Sequence, residues 1–122
     1  MSDPVTLHDI YLARSRIAGQ AMRTPLILSQ SLSARFDTEV YLKLETLQPS
    51  GAFKLRGALN KIASLSPEQL ERGVTTASTG NHGRAVAWAA KRLGLHGFPI
   101  GVRSQHQPLR SFMARRSWAS GR

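Results

Sequence analysis

The sequence predicts an α/β chain in which parallel strands are flanked by helices. Three observations carry that expectation. Residues 39–44 alternate, with Val40, Leu42 and Leu44 on one side and Tyr41 and Lys43 on the other, as a half-buried strand does. From Gly51 the period turns helical, and Leu55, Ala58, Leu59, Ile62 and Leu65 fall on one face. Val74-Thr75-Thr76-Ala77-Ser78 is short and β-branched, and an alanine-rich helical stretch follows it. Strand, helix, helix, strand, helix is the order of a right-handed crossover between parallel strands.

Each element has its own signals. Residues 6–21 read as an amphipathic helix with Thr6 as N-cap, Asp9 completing a near capping box, and Leu7, Ile10, Tyr11, Ala13 and Ile17 as the apolar face. Gly19 or Thr24-Pro25 ends it. Residues 26–28 are a short apolar segment, and Ser29 or Ser31 caps a brief helix to Phe36. Ser66-Pro67-Glu68-Gln69 starts a short helix with a capping box and a proline at its first position, and Gly73 stops it. In the helix from about His82, Val86, Ala89, Ala90 and Leu93 form the core stripe, Trp88 lies opposite it against a neighbouring layer, and Gly94 is the stop. Residues 97–102 stand where the next parallel strand belongs, but two glycines and a proline spoil it. Residues 97–122 are expected to be an Arg-rich, poorly ordered tail, separate from a folded segment over 1–96.

Composition bounds the function. The 122 residues suffice for one small domain, and 41% hydrophobic content fits a globular class. There is no cysteine, which excludes disulfides and thiolate metal sites. No apolar run approaches membrane-spanning length, and the first residues lack a signal-peptide pattern, so a cytoplasmic protein without membrane contact is expected. The formal charge is +10, half of it in residues 97–122, and no acid follows Glu71. A small basic nucleic-acid-binding protein is therefore one reading, although the aromatics are not interleaved with the basic residues as a stacking platform requires. His8 and His96 show no metal-ligand spacing with any partner, and no metal is expected.

Two stretches carry chemistry. In Ser50-Gly51-Ala52-Phe53-Lys54-Leu55-Arg56-Gly57-Ala58, a lysine stands in a helix's first turn, beside backbone amides and the positive dipole end. Such a place disfavours a second positive charge and suits an amine that condenses with a carbonyl. Taken alone, the stretch reads more simply as an ordinary surface lysine. In Ser78-Thr79-Gly80-Asn81-His82-Gly83 a strand runs into a helix start and exposes several amides together, with Asn81, Ser78 and Thr79 as side-chain donors. That suits a carboxylate. An ordinary turn with Asn81 as cap fits the hexapeptide equally well.

Together the stretches resemble the fold type II pyridoxal-phosphate enzymes, in their serine/threonine dehydratase and serine racemase branch. The segment from Lys43 to Ala58 is similar to that branch's cofactor-lysine segment, residues 78–83 to its substrate-carboxylate loop, and Thr24-Pro25-Leu26 to its common opening. The resemblance covers roughly residues 5–96 and leans to a branch that includes hydroxyectoine-utilisation dehydratases. It implies an incomplete fold type II architecture and pyridoxal 5'-phosphate as cofactor. The implied reaction is dehydration of L-threonine, L-serine or a related hydroxy amino acid to a 2-oxo acid and ammonia.

The resemblance also implies roles. Lys54 would condense with the cofactor and later remove the Cα proton. Ser50 and Phe53 would help hold the cofactor, and their plainer roles are helix N-cap and core packing. Asn81 would bond the ring hydroxyl, and Ser78, Thr79, Gly80 and His82 would hold the substrate carboxylate. Thr79 stands where racemases of the family place a serine that serves the opposite face. Cysteine synthases favour a different residue after the asparagine and a different run after the lysine. The family's phosphate cup, a run of several glycines, is not in this sequence, nor is the residue facing the pyridine nitrogen. A truncated product is therefore expected, with a frameshift near Gly97 as its origin and little turnover alone. Full-length relatives are expected to be homo-oligomers. A non-catalytic remnant that pairs with such a relative is the third reading.

Overall fold

The computed structural model describes residues 4–78 and 80–95, and the backbone of 100–102 and 110–112. Helix α1, Leu7–Arg16, opens on the capping box expected there. The Asp9 amide donates to Thr6 Oγ1 at 3.2 Å, and the Thr6 amide donates to Asp9 Oδ2 at 2.8 Å. The helix is shorter than its periodicity suggests. It stops at Arg16, and a turn held by the Ala21 amide on the Ile17 carbonyl follows, with Gly19 in the left-handed region. Leu7, Ile10 and Tyr11 stay exposed, and only Ile17 and Ala21 reach the core.

Strand β1, Leu26–Leu28, pairs antiparallel with β2, Tyr41–Lys43, and α2, Gln30–Phe36, lies between them in sequence. The register sets Ile27 opposite Leu42. Both strands are exposed along their whole length, so this two-stranded sheet has no apolar cover among the described residues. A 3₁₀ turn, Glu45–Leu47, leads on to α3, Lys54–Ala63, and then to α4, Pro67–Glu71. The Ser66–Gln69 capping box of α4 forms as its sequence implies.

Strand β3, Thr76–Ala77, pairs parallel with β4, Ile100–Val102, and β4 pairs antiparallel with β5, Arg110–Phe112. Helix α5, Asn81–Arg92, makes the crossover between β3 and β4. Two expectations are corrected here. Strands β2 and β3 do not share a sheet, and the parallel unit is β3–α5–β4. The stretch 97–102, read as a spoiled strand, does supply one. Pairing needs only backbone groups, and Gly101 stands opposite Ala77. The expected disorder of the tail falls on residues that, apart from β4 and β5, lie outside the described ones.

The core lies between α3 and α5. Leu55, Ala58, Leu59 and Ile62 face Ala85, Val86, Ala89 and Ala90, all buried, with Trp88, Leu93, Leu70 and Val74 packed at the margin. Trp88 thus joins the same core rather than a separate layer. Each buried Leu or Ile contributes on the order of 2 kcal/mol. The alanine stripe lets the two helices approach closely, which brings their N-terminal turns together.

Candidate functional site

Helix α3 begins at Lys54 itself, after a loop in which Gly51 takes φ 75°. That left-handed conformation is cheap only for glycine. Phe53 is the N-cap residue and makes no side-chain cap bond. Ser50, offered as the cap, is buried and spends its hydroxyl on the Ala52 carbonyl at 3.3 Å. Phe53 does not pack in the core either: it is 63% exposed, and its ring centre lies 5.9 Å from Lys54 Nζ.

Helix α5 begins at Asn81, and its N-cap is Gly80 rather than Asn81. The Gly80 amide donates to Ser78 Oγ at 3.2 Å. Gly83 is buried against Ser78: a Cβ there would stand 3.4 Å from the Ser78 Cβ and carbonyl oxygen. Thr79 lies outside the described residues.

The two helix starts meet at an open depression of about 320 Å³, lined by Phe53, Lys54, Arg56, Gly57, Ala58 and His82. It brings together three of the residues singled out in the sequence: Lys54, Phe53 and His82. Ser50, Ser78, Gly80 and Asn81 sit in the flanking loop and turn and do not line it.

Beside it lies a polar network that the sequence reading missed. Arg56 grips Glu45 as a fork, Nε to Oε2 at 2.9 Å and Nη2 to Oε1 at 2.7 Å, and Nη2 also donates to the Met22 carbonyl at 2.9 Å. The hydroxyl of buried Thr24 donates to Glu45 Oε1 at 2.6 Å. Buried Gln48 donates to the Met22 carbonyl at 2.8 Å and to Glu45 Oε2 at 3.2 Å, and accepts from the Met22 amide at 3.0 Å. Lys43 donates to the Thr24 carbonyl. The hydrogen bonds from Arg56, aided by Thr24, outweigh desolvation and hold the Glu45 carboxyl at about 2. The same pairing raises Arg56 above its usual value. Opposite charges flanking the lysine, inside an otherwise apolar and small-residue stretch, were the signal available in the sequence.

An amine and the first turn of a second helix share one depression, and comparison with known proteins gives the family. The family described as "Pyridoxal-phosphate dependent enzyme" matches residues 17–115. The chain belongs to that family. Its match extends past residue 96, where the resemblance read from the motifs stopped. The L-threonine ammonia-lyase of Thermotoga maritima is 48% identical over 91 residues, which is 75% of this chain and 23% of that protein. The serine racemase of Dictyostelium discoideum superposes with a TM-score of 0.71 at 42% identity, over 75% of this chain and 30% of that one. Maize serine racemase gives 0.69 at 44%, over 74% and 28%. The fold is therefore part of a fold type II pyridoxal-phosphate enzyme. The chain spans only about a quarter of the length of the curated relatives it matches.

Proposed function

We propose that this segment carries the lysine and the carboxylate-holding turn of an ammonia-lyase acting on L-threonine, L-serine or a related hydroxy amino acid. The products are a 2-oxo acid and ammonia. The observation that supports it is that Lys54 and His82, from the first turns of two different helices, line one depression. Relatives named as threonine ammonia-lyase and threonine dehydratase support the same reaction.

The residues present fit one half of the cofactor. Lys54 is exposed at the depression, and the start of α5 lies across from it with amides free of helical partners. The run of several glycines that would cup the phosphate in this family is not in the sequence, where no two glycines are adjacent. Weak cofactor binding and little turnover by the chain alone are the expected outcomes. When bound, pyridoxal phosphate supplies an aldehyde for an amine and a conjugated ring that accepts the electrons of the broken Cα–H bond. Lys54 Nζ then holds the Cα proton. Ser78, Thr79, Gly80 and His82 hold the substrate carboxylate against the α5 amides. By the family resemblance, the Asn81 amide would orient the ring hydroxyl, and Ser50 and Phe53 would help hold the cofactor beside the lysine. By the same resemblance, the Thr79 hydroxyl would serve the opposite face, which would allow weak racemase activity. A cytoplasmic location and a homo-oligomeric whole protein complete the reading. No helix among the described residues is long and apolar enough to cross a membrane.

Incubation with pyridoxal phosphate, borohydride reduction and peptide mapping tests this. Lys54 should be modified ahead of Lys43, Lys61 and Lys91, and Lys54→Ala should remove the visible absorbance of the adduct. Modification spread evenly over the four lysines refutes the reading.

A further inference from the structure

The strongest unassigned feature is the fork between Glu45 and Arg56. These residues stand eleven apart, and the segment they close contains Ser50, Phe53 and Lys54. Gln48, Ser50 and Ala52 in that segment are buried, and the Leu55 and Arg56 amides donate to the Ala52 and Phe53 carbonyls at 3.4 and 3.0 Å, so its start and end are anchored locally. Between the 3₁₀ turn and α3 there is no regular structure. Its other internal bonds are the Gly51 amide on the Gln48 carbonyl at 2.6 Å and the Ser50 hydroxyl on the Ala52 carbonyl. The fork, by contrast, is tied to a third segment. Arg56 and Gln48 both donate to the Met22 carbonyl, and Thr24 donates to Glu45. Arg56 also sits two residues past Lys54 on α3, and it lines the same depression.

We propose that Glu45 is a positioning residue for the Lys54 amine: its forked pairing with Arg56 staples the lysine loop shut and presents Lys54 at the depression shared with His82. The reading rests on the proposed function, whose lysine it orients. A flexible loop samples many amine positions, and closing its two ends removes most of them before any ligand arrives. The geometry requires a fork. A guanidinium reaches both carboxylate oxygens and the Met22 carbonyl at once, whereas an ammonium is a point charge.

The test compares the native chain with Glu45→Gln and Arg56→Lys by two measurements. The first is amide exchange in residues 50–54 against residues 85–90 of α5. The second is the ratio of the pyridoxal-phosphate adduct at Lys54 to that at Lys61. Both substitutions should speed exchange in 50–54 by about tenfold, the equivalent of one charge-assisted bond, while 85–90 changes by less than about twofold. The Lys54-to-Lys61 ratio should fall in step. Arg56→Lys keeps the charge, so a native-like result there overturns the staple. Equal acceleration of both segments also overturns it, because that is loss of overall stability. A native chain that shows the exchange contrast but no preference for Lys54 supports the staple and overturns the proposed function instead.

Discussion

Replacing Leu55 by alanine should separate the core role of one residue from the exposed role of its near neighbour. Leu55 is 0% exposed and lies in the cluster between α3 and α5. Deleting about three carbon groups at ~0.8 kcal/mol each loses roughly 2.4 kcal/mol of transfer free energy. The facing residues Ala85 and Ala89 have little side chain with which to fill the space, so a cavity term of about 1 kcal/mol adds to it. The expected loss is about 3 kcal/mol. With a urea slope near ~1.5 kcal/mol per molar, the midpoint falls by about 2 M. Phe53→Ala is the control, since that ring is mostly in water and its removal should cost under ~1 kcal/mol. Urea titration followed by far-ultraviolet circular dichroism reads both. Equal midpoint shifts for the two variants would refute the assignment of the core to the α3–α5 contact.

Three further outcomes follow from the geometry. Glu45 falls from 4.5 free to about 2 folded, nominally ~3 kcal/mol; solvent access to the pair reduces this to about 1–2 kcal/mol. Because the folded value is depressed, this stability is complete above pH 4.5 and is lost as pH falls towards 2. The gap between the native chain and Glu45→Gln in denaturant titrations should therefore close over that window. Gly51→Ala should cost about 1 kcal/mol from the left-handed backbone alone, since the nearest atoms to its Cβ, on the Arg84 guanidinium, stand at an ordinary 3.7 Å; a thermal melt checks it. Ser66→Ala should cost about 1 kcal/mol by loss of the α4 cap, read as a lowered urea midpoint.

The parts of the fold legible in the sequence were those governed by local period and capping. The stripe of Leu55, Ala58, Leu59 and Ile62, the alanine face of α5 and both capping boxes depend on neighbours within one or two turns. Strand partnership depends on distant backbone groups, so the antiparallel pairing of Ile27 with Leu42 had no local sign. The same reason hid β4, because its glycine weakens propensity without preventing a ladder. At the site, Lys54 and His82 were reachable through two quoted motifs. The fork of Glu45 and Arg56 showed in the sequence only as two opposite charges flanking the lysine, because an ion pair between loop and helix has no periodicity to name its partners. A helix cap was only the plainer alternative for Ser50, and its hydroxyl turns back on its own loop instead.

The sheet of β1 and β2, bare among the described residues, divides the molecule into two grades of durability. Leu26, Ile27, Leu28 and Leu42 gain little from staying in place, while the helix pair holds the greasy contacts. Two strands without a covered face are marginal in water. On warming, that leaf should peel first and offer its unpaired edge to any other copy that has also opened. Clumping would then begin while α3 and α5 remain wound, so the chain's shelf life would be set by its weakest sheet and not by its melting point.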